Sequence, residues 1–196
     1  MNQKARIYNL LESIGPARRD NRERVAAIFL DKPELIPNLI ICIFNIDYKL
    51  HYKAAWILEI LLEKDLSILL PHIDYFTSNI GKLRHESAVR PISKICNWLA
   101  ISYIKKQKEN LLKSLSTTNI EQIVETGFDW MIDDFKVATK AYTMNTLFCF
   151  GKVKAQEFQW IHKELKNTIL QNINNNSAAY KSRGRITLEL LAKQGV

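Results

Sequence analysis

Lys53-Ala-Ala-Trp-Ile-Leu-Glu-Ile-Leu-Leu62 decides the fold. With Leu50 and Tyr52 before it, the segment is apolar around most of a helical circumference, too much for a single stripe. A helix of that kind is buried on several sides at once. Three further stretches read as variations on it: Ser87-Ala-Val-Arg-Pro-Ile-Ser-Lys-Ile-Cys96, Lys136-Val-Ala-Thr-Lys-Ala-Tyr-Thr-Met-Asn145 and Ser177-Ala-Ala-Tyr-Lys-Ser-Arg-Gly-Arg-Ile186. All four are rich in small residues (Ala54, Ala55, Ala88, Ser93, Ala138, Ala141, Ala178, Gly184), which let neighbouring helices approach closely. Each also carries or follows a basic pair four residues apart: Lys49/Lys53, Arg90/Lys94, Lys136/Lys140 and Lys181/Arg185.

The first members of these pairs are separated by 41, 46 and 45 residues, the period of HEAT or armadillo repeats. Between them the chain alternates two helix types. Pro33–Phe44 turns at residues 45–47 into a helix around 50–64, and Leu69–Ile80 turns at 81–84 into 85–104. Ile120–Ile132 turns at Asp133-Asp134 into 135–150, and Glu157–Ile173 turns at 174–177 into 178–193. Residues 3–14 and 18–30 form two helices ahead of these, separated by Gly15-Pro16. Asp47, Asp134 and Ser177 are the expected N-caps. Pro91 falls a turn and a half into its helix, so the helix is expected to kink or restart there. Ile104–Asn119, with Lys105, Lys106, Lys108 and Lys113, is an insertion that lengthens one step. The fold expected is an all-α, α–α superhelix filling 1–196 as one HEAT-like domain, with an N-terminal helical cap (1–31) before about four stacked helical pairs (32–196).

Composition agrees with long helices. The 196 residues include only 6 glycines and 5 prolines, too few turn formers for a many-stranded sheet. Cys42, Cys96 and Cys149 are odd in number, far apart and set in apolar stretches, as buried reduced thiols are. The start, Met1-Asn-Gln-Lys-Ala-Arg-Ile7, has no apolar signal core, and the longest strongly apolar run, Leu39–Phe44, is too short to span a bilayer. The expected location is the cytoplasm.

The net charge is +8 and the isoelectric point about 9.4, which raises the prospect of a phosphate-rich partner. The basic pairs are the one charged feature repeated with the fold. Residues four apart share a helix face, so the pairs, joined by Tyr180, would form a stripe along a concave groove that suits an anionic backbone. Lys49, Lys53, Arg90, Lys94, Lys136, Lys140, Tyr180, Lys181 and Arg185 are therefore the candidate binding residues. The competing reading is a structural ladder, in which the cations bridge to turn carboxylates and carbonyls (Asp47, Asp133 and Asp134 are at hand). Tyr52, Trp56, Trp98 and Tyr142 could stack on bases, although aromatic residues at helical spacing more often belong to a core.

Catalytic signals are weak. His51, His72, His85 and His162 have no metal-ligand spacing, and no phosphate-binding glycine loop or nucleophile motif occurs. Ser87, Ser93 and Ser182 have no base in reach along the chain. Trp130 and Asp134, four apart, are similar to the aromatic–carboxylate combination of HEAT-like alkylpurine DNA glycosylases, but N-capping accounts for the aspartate. No catalytic, metal or cofactor residue is assigned. The reading favours a non-enzymatic interaction scaffold for a protein or anionic partner, with no membrane role, and a nucleic-acid-binding protein as the rival.

Taken end to end, the chain resembles a family of short bacterial α-helical proteins with a HEAT-like or armadillo-type fold. The resemblance rests on Asp31-Lys-Pro-Glu-Leu35, Tyr52-Lys-Ala-Ala-Trp-Ile-Leu-Glu59, Leu70-Pro-His-Ile-Asp-Tyr-Phe76, Ser87-Ala-Val-Arg-Pro91, Phe128-Asp-Trp130, Lys136-Val-Ala-Thr-Lys-Ala-Tyr142 and Ser177-Ala-Ala-Tyr-Lys181. Members of that family often carry the name adenylosuccinate lyase, which would imply fumarate release. True lyases of that kind are much longer and bear a Gly-Ser-Ser-x-Met-Pro-type loop with the catalytic serine. Here the methionines are Met1, Met131 and Met144, none in a Ser-Ser-x-Met-Pro string, so no lyase activity is expected.

Overall fold

The structure is a computed structural model that describes residues 3–15, 18–105, 114–153 and 156–196. Those residues are mainly helical, with no strand among them. The α-helices are α1 (Gln3–Glu12), α2 (Arg19–Asp31), α3 (Ile36–Ile43), α4 (His51–Lys64), α5 (Ile73–Ile80), α6 (Glu86–Ile104), α7 (Thr117–Ile132), α8 (Val137–Phe150), α9 (Ile161–Asn172) and α10 (Ala178–Ala192). Short 3-10 turns at Pro33–Leu35, Leu66–His72 and Gln156–Phe158 lead into α3, α5 and α9. The chain forms two compact units, Met1–Ile92 and Ser93–Val196, with the boundary inside α6. The Lys106, Lys108 and Lys113 part of the expected insertion lies outside the described residues, as does Pro16.

In the first unit α4 packs against both α2 and α3. Its Ala54, Ala55, Ile57, Leu58 and Leu61 are fully buried, as its all-round apolar pattern requires. The second unit repeats the arrangement: α8 packs against α7, α9 and α10. Its less apolar face is still buried, because Thr143 and Thr146 turn their hydroxyls back onto the carbonyls of Thr139 and Tyr142, both at 2.9 Å. A buried hydroxyl satisfied by its own helix costs little. Gly184 keeps α10 close to α9, since a β-carbon there would stand 3.1 Å from Ile169 Cγ2.

Ends and breaks follow local chemistry. Ser177 caps α10, accepting from Tyr180 N at 3.3 Å. Ser116, which the sequence reading passed over, closes a reciprocal capping box with Asn119 at the start of α7. Asp47 and Asp134 cap nothing: the N-cap positions of α4 and α8 are Leu50 and Lys136, with no side-chain cap. The helices start later than expected, leaving both aspartates in the preceding turns.

Pro91 neither ends nor restarts its helix, since α6 runs through it. A proline inside a helix has no N–H for the carbonyl four residues back, and its ring crowds that carbonyl. Here that carbonyl belongs to Ser87, and it accepts the indole Nε1–H of Trp56 at 2.9 Å. A side chain of α4 thus supplies the donor that Pro91 lacks.

Candidate functional site

In the first unit the candidate cations serve different ends. Lys49 is exposed in the turn before α4, so it does not share a helix face with Lys53. Lys53 is half-buried, and its ammonium donates to the carbonyls of Leu11 in the last turn of α1 (3.2 Å) and of Ile14 just past its end (2.6 Å). A cation at a helix C-terminus satisfies orphan carbonyls and meets the negative end of the helix dipole. Histidines do related work: His51 Nδ1–H donates to the Ile43 carbonyl at the end of α3, at 2.9 Å. Arg90 is exposed on α6. Tyr52 stacks on His85 with ring centroids 4.9 Å apart, and Arg22 lies 5.7 Å over the Trp56 ring. A mainly apolar cavity in this unit, about 250 Å³, is lined by Ile7, Tyr8, Ile41 and Cys42 among others.

In the second unit Lys94 lies 4.8 Å from the Trp98 ring centroid. Lys136 precedes the first turn of α8 with extended backbone (φ −64°, ψ 153°), so the helical four-residue rule does not join it to Lys140. Lys140 is only 7% exposed, with its ammonium 6.0 Å from the centroid of the Tyr180 ring. Burial lowers its proton affinity, while Asp134 and Asp133 oppose that shift. Tyr180 is fully buried, and burial raises the pKa of its phenol. Neither Lys140 nor Tyr180 presents a surface on which a strand could lie. Lys181 is half-buried and Arg185 exposed, both within α10.

A different set of residues meets in this unit. Ala138, Ala141, Tyr142 and Asn145 recur at helical spacing along one face of α8. With Asn97 of α6 and Arg183 of α10 they line a groove of about 350 Å³. Asn145 Nδ2 donates to Asn97 Oδ1 at 2.7 Å. Asn97 is 8% exposed and Arg183 is exposed. No carboxylate lines the groove among the described residues. The alanines give it a low floor, and the polar groups stand around that floor. Sequence reasoning missed Asn97, Asn145 and Arg183. The spacing of Ala138, Ala141, Tyr142 and Asn145, with a small residue at each early step, was the available signal.

The catalytic candidates do not assemble. Trp130 is 2% exposed with its indole nitrogen unpartnered, while Asp134 is exposed in the turn beyond α7. Among the described residues no three His, Cys, Asp or Glu side chains are grouped to hold a metal ion. Burial pushes the Cys42 thiol up to about 12 and raises those of Cys96 and Cys149, the opposite of a reactive thiolate. Glu121, Glu125 and Glu157 border a small cavity of about 140 Å³ with Phe158 and Trp160. Among the described residues no helix is long and apolar enough to cross a membrane.

Fold and groove together define an all-helical protein of packed helices with an amide- and guanidinium-lined groove in its second unit. Compared with known proteins, the chain matches no protein-family model, no curated protein and no solved structure.

Proposed function

We propose that the chain is a helical-repeat module of the HEAT or armadillo class and acts as a non-enzymatic interaction scaffold. It holds a protein or anionic partner on a concave, partly basic surface formed by α6, α8 and α10. The observation that carries this reading is the groove of Asn97, Ala138, Ala141, Tyr142, Asn145 and Arg183, where a cation and amides surround a floor low enough for another chain to approach. Helical-repeat proteins bind through such extended faces. The buried thiols lend support, since they are poor nucleophiles. The continuous basic stripe is the weaker variant, because Lys53 is spent on helix-end carbonyls and Lys140 is buried.

The test is a titration of the purified protein with dye-labelled acidic peptide, duplex DNA, single-stranded DNA and RNA at several salt concentrations. Saturable binding of any of these that Arg183→Gln weakens supports the scaffold. A log–log salt slope of roughly −4 to −7 for a nucleic acid, the value for six to eight phosphate contacts, would favour the nucleic-acid form of it. No binding of any probe at low salt would sink the reading, and fumarate release from adenylosuccinate would overturn its non-enzymatic part.

A further inference from the structure

The geometry points to an acidic protein segment as the occupant of the groove on α6, α8 and α10, with a carboxylate held by Arg183 and the backbone beside it held by the Asn97–Asn145 pair. This rests on the scaffold reading and names its ligand. Arg183 carries five N–H donors and no acceptor, and it forms no ion pair among the described residues. A planar guanidinium in a groove that no carboxylate lines among the described residues is matched by a planar oxyanion that can accept two parallel hydrogen bonds.

The amides narrow the class. In the Asn145–Asn97 bond one amide group acts as donor and the other as acceptor. That leaves the Asn97 amide hydrogens and the Asn145 oxygen for a ligand. Asn97 is nine-tenths buried, so its position is set by packing and its remaining donors face a fixed direction. The site therefore offers a cation, a donor and an acceptor together. A phosphodiester brings acceptor oxygens only, so a nucleic acid would have to turn a base edge or a 2′-hydroxyl into the site to give the Asn145 oxygen a donor. A peptide brings a carbonyl, an N–H and, at Asp or Glu, a carboxylate within one residue. An unmatched polar group in a partly desolvated site costs affinity, so the peptide is the better complement. Ala138 and Ala141 add the steric condition, because larger side chains there would hold a main chain away from the amides. The volume of about 350 Å³ lies at the lower end of ligand sites, which suits a short extended segment.

The experiment measures fluorescence anisotropy with three probes: a short peptide alternating Glu and Gly, the same peptide with Gln for Glu, and an oligothymidylate. The acidic peptide is expected to bind at least about tenfold more tightly than the Gln peptide, the scale of one charge-assisted contact. Arg183→Gln should weaken the acidic peptide by about tenfold and erase the preference between the two peptides. Asn145→Leu should weaken both peptides. Lys163→Gln, which removes an exposed charge of α9 away from the groove, should change neither by more than about twofold. Thermal melting of each variant confirms that it folds, which is expected because Arg183 and Lys163 are exposed. Equal binding of the two peptides, or equal losses in the Arg183 and Lys163 variants, would overturn the inference. Oligothymidylate binding without peptide binding would overturn it while leaving the scaffold reading standing. Failure of all three probes would remove both.

Discussion

Trp56→Phe should destabilise the first unit through a backbone group it does not itself contain. The indole nitrogen donates to the Ser87 carbonyl at 2.9 Å, the carbonyl that Pro91 leaves without a helical partner. Phenylalanine keeps an aromatic ring beside Arg22 but has no donor. An orphaned, partly buried carbonyl costs about 1–3 kcal/mol, and the smaller ring adds a packing loss. Pro91→Ala separates the two contributions, because alanine restores an N–H that can reach Ser87 from within the helix. In that background Trp56→Phe keeps its packing cost and loses the carbonyl penalty. The double-mutant cycle should therefore show a coupling of about 1 kcal/mol or more, with Trp56→Phe less costly in the Pro91→Ala background than in the wild type. Urea denaturation followed by circular dichroism gives all four stabilities. Equal costs in the two backgrounds, within about 0.5 kcal/mol, would show that the indole does not substitute for the missing proline donor.

Other perturbations follow from the same contacts. Gly151→Ala would drive a β-carbon into the ring of His162. The His162 ring is buried, and its Nε2–H donates to Phe148 O at 2.9 Å. A loss of about 2–4 kcal/mol is expected, the sum of overpacking and a broken buried hydrogen bond, and Gly151→Ala should cost clearly less in a His162→Ala background, where no ring is left to clash, than in the wild type. Lys53→Met should cost about 1–3 kcal/mol and accelerate amide exchange in α1, while Lys49→Met should do neither. His51 has its pKa lowered from 6.5, chiefly by burial and against its bond to Ile43. The folded state therefore resists a proton that the unfolded chain accepts. Its contribution is intact above about pH 6.5 and is lost as pH falls from there toward the lower folded value. Thermal melts of the wild type and His51→Gln across that window should converge on the acid side, and parallel curves would refute the assignment. Thiol alkylation of the native protein at pH 8 should be slow at all three cysteines and fast after unfolding, because burial holds their protons on.

The helices were legible because their cause is local. An all-round apolar pattern at Lys53–Leu62 means burial on several sides, and α4 and α8 are indeed each packed against several partners. The interruption before α5 was less legible, since Pro71 sits near the end of a 3-10 turn within what reads as one helix. The basic pairs misled for a definite reason. Spacing of four implies a shared face only when both residues are helical, and Lys49 and Lys136 precede their helices. The buried Lys140 has its ammonium 6.0 Å from the ring of Tyr180, forty residues along the chain, and no local pattern encodes that contact. The groove is likewise what remains of α8 after α7, α9 and α10 have covered its other sides. Its meeting of Asn97, Asn145 and Arg183 is a product of packing between three helices.

The most direct test of the scaffold account is amide and side-chain NMR of the isotope-labelled protein, recorded while the tightest-binding probe is added to saturation. The account predicts shifts at Asn97, Tyr142, Asn145 and Arg183, with the side-chain amides of the two asparagines moving together. Shifts centred on Glu121, Glu125 and Trp160, or confined to the first unit, would contradict it.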